Sequence, residues 1–74
     1  MTFRIFTNDR GRKNGIFLYS AFSSIAADRI ETAERRAEKL CAGLPYDGPH
    51  GPVKVIEWPA TSDASKKWLA KHVG

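Results

Sequence analysis

The sequence predicts an α+β fold: a small single-layer sheet of three strands, mainly antiparallel, in the chain order β-β-α-β-α, with the long helix packed on one face. Apolar residues within 26–44 recur alternately four and three positions apart, which is typical of a helix with one buried stripe. Short apolar runs at 3–6, 16–22 and 53–58 have the length and composition of strands. With 74 residues, the chain is predicted to form one domain, 1–74, with a thin core.

The first strand is predicted at 3–6, where Phe3 and Ile5 alternate with Thr2 and Arg4. It ends at residues 8–15, a stretch rich in the turn-forming residues Asn, Asp and Gly. These turn formers predict a hairpin that leads into the second strand.

The second strand, 16–22, is apolar on both of its faces, because nearly every residue of the run is apolar. A strand that is buried on both sides belongs in the middle of a sheet, so we expect this strand to be central. One face carries Ile16, Leu18 and Phe22, and the other carries Phe17, Tyr19 and Ala21.

The long helix is predicted over 25–42. Ser23 or Ser24 is the favoured cap, and Asp28 with Glu31 forms a competing capping box one turn later. Gly43 followed by Pro45 is a typical helix end. Charges fill the positions between the residues of the stripe, which are Ala26, Ile30, Ala33, Ala37, Leu40 and Leu44.

After the helix, residues 45–52 read as a stiff Pro- and Gly-rich loop that returns the chain to the sheet. The third strand follows at 53–58. Because a helical crossover joins strands two and three, we expect the third strand to pair parallel, with the first strand as its neighbour. A short final helix is capped by Thr61, Ser62 or Asp63, and it is anchored by Trp68 and Leu69.

Composition limits the cellular setting. The single cysteine, Cys41, lies beside the helical stripe, so we interpret it as a buried small hydrophobe that forms no internal disulfide. This usage favours a reducing, cytoplasmic compartment. We expect no leader peptide, and we expect no membrane span because no apolar run approaches 18 residues.

The residues that could carry catalysis do not form a recognisable site. His50 and His72 lack a second ligand at metal-binding spacing, and Cys41 faces the predicted core. Glu34 and Glu38 lie one helical turn apart, but such pairs ordinarily form a solvated helix face. We therefore predict a protein that is not an enzyme and that has no metal or cofactor.

Charge and aromatic content favour binding instead. The net charge is +4, and the cations are concentrated towards both ends of the chain. The predicted hairpin tip presents three cations, and the aromatic residues on the sheet are too numerous for one face. We consider three states of the second face: it is exposed to solvent, it is covered by the terminal helix, or it is covered by another protein chain, including a second copy. The predicted partner-binding residues are Arg10, Arg12, Lys13, Phe17, Tyr19, Trp58, Lys66 and Lys67.

The layout over residues 3–58 resembles small proteins of phages and mobile elements, including anti-CRISPR proteins. The helix segment 33–37 (AERRA) and the strand segment 53–57 (VKVIE) are the parts of the sequence that carry this resemblance. It implies a non-enzymatic protein that occupies the guide or DNA surface of a nuclease complex.

We therefore expect a small interaction protein that inhibits or adapts a larger protein or nucleoprotein complex through its basic hairpin and an aromatic sheet face. The alternative is direct binding of DNA or RNA, in which cations neutralise phosphates. The cations concerned are Arg10, Arg12, Lys13, Lys66, Lys67 and Lys71.

Overall fold

The computed structural model describes residues 1–44 and 53–73 and confirms the α+β fold. The predicted loop 45–52, including His50, lies outside the described residues. One small hairpin is added between the first two strands of the predicted order. The elements are β1 (Thr2–Thr7), β2 (Arg12–Lys13), β3 (Ile16–Phe17), β4 (Ser20–Ala26), α1 (Ile30–Cys41), β5 (Lys54–Trp58) and α2 (Asp63–His72).

The main sheet has the order β4-β1-β5, and both pairings are antiparallel. The prediction that β5 neighbours the first strand is confirmed, but the predicted parallel pairing is wrong. A helical crossover joins two strands that run in the same direction, and here these strands are β4 and β5, which α1 connects. Because β1 lies between them, each of these two strands meets an antiparallel neighbour.

The central strand is β1, so the prediction that the run 16–22 is central is wrong. This run divides: residues 16–17 pair with 12–13 in a separate two-stranded ribbon, and β4 begins at Ser20. The pairing of β4 with β1 shifts between Ile5 and Phe6, which leaves Phe22 as an extra residue on β4. Phe22 is 40% exposed.

Helix α1 starts at Ile30, not at Ser23 or Ser24, because β4 continues to Ala26 in its ladder with β1. The predicted stripe is also partly wrong: Leu40 is 51% exposed and Ile30 is 38% exposed. Small residues let this helix lie close to the sheet, since they hold no bulk between the two layers. The buried residues of α1 are Ala33, Ala37 and Cys41, so the prediction for Cys41 is confirmed.

The two faces of β1 carry two different cores. Phe3 and Ile5 pack under α1, together with the partly buried Ile25 and Val55. Phe6 points to the opposite face, where α2 covers it. The protein is therefore a sheet between two helices. The core on the α2 side consists of Phe6, Tyr19 and Ile56, with Phe17, Trp58, Ala60, Trp68, Leu69 and Val73 packed against them.

Helix α2 begins as predicted. Ser62 is its N-cap, and the Ser62 hydroxyl accepts a hydrogen bond from the backbone N–H of Ser65 at 3.1 Å. Neither helix in the described ranges is long and apolar enough to cross a membrane.

Candidate binding surface

The hairpin β2–β3 is a tight ribbon that presents its cations to solvent. Arg12 pairs with Phe17 and Lys13 with Ile16. The connecting residues, Asn14 and Gly15, both have positive φ, at 53° and 80°. Two successive residues of this kind form the turn whose twist matches a two-stranded ribbon. Arg12 and Lys13 are both exposed.

Asn8 fixes the base of this hairpin. Its side chain is 1% exposed, and its Nδ2 donates to the carbonyl oxygens of Gly11 at 2.9 Å and Leu18 at 2.5 Å. The Leu18 N–H also donates to the Gly11 oxygen, at 2.8 Å. Sequence reasoning counted Asn8 only as a turn former. The signal available was an Asn directly after an apolar strand, where its amide reaches nearby backbone groups.

His72 joins the hairpin to the C-terminal end of α2. Its Nδ1 lies 2.7 Å from the carbonyl oxygen of Phe17, and this ring nitrogen carries the proton because a carbonyl only accepts. The backbone N–H of Tyr19 donates to the His72 carbonyl at 2.9 Å. The His72 ring also stacks on Trp68, with the ring centroids 4.9 Å apart. His72 is therefore a structural link, and no local pattern in the sequence indicates this role.

Among residues 1–44 and 53–73, three cations lie over aromatic rings. The Arg12 guanidinium is 4.3 Å from the centroid of Phe17 in the hairpin. The Arg4 guanidinium is 3.8 Å from the Trp58 ring, and Lys54 Nζ is 5.6 Å from the Trp68 ring. Stacking restricts each side chain, so less conformational entropy is lost when the charge meets a partner.

Lysines of α2 extend the charge beyond the hairpin. Lys66, Lys67 and Lys71 are exposed, and Lys71 precedes His72 in the chain. At 100° per residue, Lys67 and Lys71 lie about 100° and 60° to the same side of Trp68, whereas Lys66 lies about 160° away on the outer face. We call the exposed cations of the hairpin and α2 the basic surface; its members are Arg10, Arg12, Lys13, Lys66, Lys67 and Lys71.

The predicted aromatic half of the site is only partly present. Tyr19 is 4% exposed, and the centroid of its ring lies 4.9 Å from that of Trp68. Of the three states considered for the second face, the structure shows the one in which the terminal helix, α2, covers it. The Tyr19 ring is therefore not accessible to a partner in this structure. Burial also raises the pKa of Tyr19 above its usual 10.0.

The other two predicted aromatic residues remain partly accessible. Phe17 lies within the hairpin, next to Arg12. The backbone of Trp58 pairs with Thr2, at the end of β1 opposite the hairpin. The centroid of the Trp58 ring lies 6.3 Å from that of Phe6. The structure thus brings Phe17 to the basic surface and leaves Trp58 away from it.

In the part of the chain that the structure describes, no group of three or more His, Cys, Asp or Glu side chains could hold a metal ion. Comparisons with models of known protein families, with curated proteins and with solved structures found no match. The fold and the surface together define a small α+β protein with exposed cations on its hairpin and on its C-terminal helix.

Proposed function

We propose that this protein is a small non-enzymatic binding module that attaches through its basic surface to an anionic face of a larger protein or nucleoprotein complex. The observation that carries this proposal is the attachment of the hairpin at two points. Asn8 holds its base, and His72 ties it to α2. Loop cations that only confer solubility need no such support.

The chemistry of the cations suits this role. Arg12 presents a planar fork of donors that matches carboxylate or phosphate oxygens, and its position over Phe17 orders that fork. The neighbouring acid, Asp9, accepts a hydrogen bond from the Ser20 hydroxyl at 2.6 Å. A stable interface covers about 800 Å² on each partner. That area is roughly one sixth of the 4861 Å² surface of this protein.

An inhibitory role of the anti-CRISPR type is one form of this proposal. A basic module of this size could cover an acidic protein face or the guide nucleic acid of a nuclease complex. The layout resemblance supports this form, and a single buried cysteine, Cys41, fits action in the cytoplasm.

Direct binding of DNA or RNA is the second candidate. The pair of Arg12 with the half-buried Phe17 offers a cation beside a ring, a combination that single-stranded nucleic acids use for phosphate contact and base stacking. The burial of Phe6 and Tyr19 makes this candidate weaker, because those rings are not accessible to bases.

The test is affinity capture from a nuclease-treated lysate of the source organism at low salt. The variant Arg12→Ala/Lys13→Ala should lose the captured complex. A control, Arg29→Ala/Arg35→Ala, removes the same charge from exposed positions of the α1 region and should keep it. Failure of the wild-type protein to retain any complex would refute the proposal.

Electrophoretic mobility shifts across a salt series distinguish direct nucleic-acid binding from protein binding. Phosphate contacts require that the logarithm of the affinity fall linearly with the logarithm of the salt concentration. A shift of this kind that the hairpin double variant abolishes would replace protein binding with nucleic-acid binding as the function.

A further inference from the structure

The outer edge of β4 carries backbone groups that point away from the sheet. The N–H of Ala27 donates to the carbonyl of Met1 at 3.0 Å. Inward and outward residues alternate in an antiparallel ladder, so the N–H and C=O groups of Ser24 and Ala26 point outward. Within residues 1–44 and 53–73, β4 pairs only with β1.

This edge lacks the usual protection. Proteins commonly protect edge strands with charges or proline, but β4 reads SAFSSIA, with neither. Arg36 Nη1 donates to the Ala26 oxygen at 2.5 Å. Among the described residues, the side-chain donor to the Ser24 oxygen is the Ser23 hydroxyl at 3.5 Å, the limit for a hydrogen bond. By contrast, the opposite edge strand, β5, carries Lys54 and Glu57.

Beside this edge lies a hollow of about 270 Å³, lined by Ile25, Arg36, Lys39 and Leu40. Leu40 is 51% exposed and contributes apolar surface together with Ile25. Arg36 and Lys39 put two positive charges at the same place. An open strand edge, an apolar hollow and two cations therefore occur together.

We infer that the β4 edge binds an extended peptide segment of a partner protein, in which acidic residues stand two positions before and two positions after an apolar residue. The peptide would add a strand to the sheet through hydrogen bonds with Ser24. Residues two positions apart in a strand share a face, so the apolar residue enters the hollow between Ile25 and Leu40. The two acidic side chains lie on the same face and meet Arg36 and Lys39.

Charge selects this occupant over a second copy of the chain. Antiparallel pairing of two β4 edges about a two-fold axis would turn the cationic sides of both α1 helices toward that axis. Arg36 and Lys39 would then face their own copies, and such like-charge contacts are unfavourable. An acidic peptide makes the opposite, complementary contact. This site is separate from the basic surface, so it goes beyond the proposed function.

The probe for the test is a fluorescein-labelled peptide of the sequence TETVTET, which has the same seven-residue length as β4 and places its valine and both glutamates on one face. A peptide with Lys in place of Glu is its control. Fluorescence anisotropy should show binding of the Glu peptide to the full chain, no binding of the Lys peptide, and weaker binding as salt increases. Equal binding of both peptides would overturn the inference.

The variant Ser24→Pro removes an outward N–H that β1 does not use, and proline is tolerated at such edge positions. It should weaken binding of the Glu peptide by about tenfold or more, the equivalent of about 1.4 kcal/mol. The matched control, Glu57→Pro, makes the same change at an outward position of β5. Glu57 and Phe3 form a non-hydrogen-bonded pair of the antiparallel ladder, so the N–H of Glu57 points away from β1. It should leave binding unchanged, and the reverse result would overturn the site.

A second pair of variants does not touch the backbone. Leu40→Glu should abolish binding of the Glu peptide, because the new carboxylate repels the acidic side chains of the peptide. Leu40→Lys should retain binding, because it adds a cation instead. Both variants fold, since position 40 is exposed. Sedimentation equilibrium completes the test. A wild-type dimer that Ser24→Pro dissociates, with no peptide binding, would make a second copy the occupant and overturn the inference.

Discussion

The two faces of the sheet are covered in opposite ways. On one face, α1 places the small residues Ala33, Ala37 and Cys41 against the strands, all at 0% exposure. On the other face, α2 has no fully buried residue and is anchored by the ring of Trp68. The first interface depends on close approach of a helix to a sheet, and the second on contacts between rings. Each face should therefore fail under a different kind of substitution.

The largest effect is expected from Trp68→Ala. The Trp68 ring contacts Phe6 at 5.8 Å and Tyr19 at 4.9 Å, and α2 has no other large ring. We expect a loss of about 3 kcal/mol, the low end for such truncations because the ring is only half-buried. Urea unfolding measures the loss, and amide exchange at Tyr19 should increase as the hairpin separates from α2. Trp68→Phe, which keeps a ring, should cost less than half as much; equal losses would mean that the ring is not the anchor.

The next effect is expected on the α1 face from Ala37→Leu. Ala37 is 0% exposed and packs in one cluster with Ile5 of β1 and Cys41 of α1. The extra carbon atoms of leucine must therefore separate the helix from the sheet. We expect a loss of about 2 kcal/mol in thermal or urea unfolding. The same substitution at the exposed Ala70 of α2 should change stability by less than about 0.5 kcal/mol. Tolerance of leucine at position 37 would show that close approach does not determine this face.

The helix caps extend the comparison. Ser62 caps α2 through its hydroxyl, whereas Arg29, at the same position of α1, makes no side-chain cap. Ser62→Ala should cost about 1 kcal/mol, and Arg29→Ser should add about 0.5 kcal/mol, because serine supplies the missing acceptor. Both values are read from urea midpoints. A stabilising Ser62→Ala would contradict the cap geometry.

The smallest effect is a pH dependence of the α2 face. Burial raises the pKa of Tyr19 above 10.0, so the folded state holds this proton more tightly than the unfolded chain does. The resulting stability is fully present below pH 10 and is lost as the pH rises through the folded pKa. Urea unfolding between pH 9 and pH 11 should show a fall that is smaller in Tyr19→Phe. The same fall in both proteins would assign it to other groups.

Sequence patterns predicted the class and order of the elements because they are local signals. Alternation in β1, the cap at Ser62 and the end of α1 near Gly43, whose φ is +85°, each depend on a few neighbouring residues. The start of α1 was wrong because two signals overlapped. Serines that could cap a helix also fit a strand, and pairing with β1 decided for the strand.

The candidate site was predicted in part. The exposed cations Arg12 and Lys13 follow from composition and turn chemistry, which are readable in the chain. The burial of Tyr19 by Trp68 and the link through His72 join distant parts of the chain, so no local pattern encodes them.

By itself, the sequence determined the periodicities, the caps and the basic ends of the chain, since these depend on side chains that are close in the primary structure. Only the tertiary structure decided that β1 is central, that α2 covers the second face and that no second strand of the described ranges pairs with β4. These outcomes depend on which distant segments compete for the same apolar surface. That competition is settled by the total area that the whole chain can remove from water.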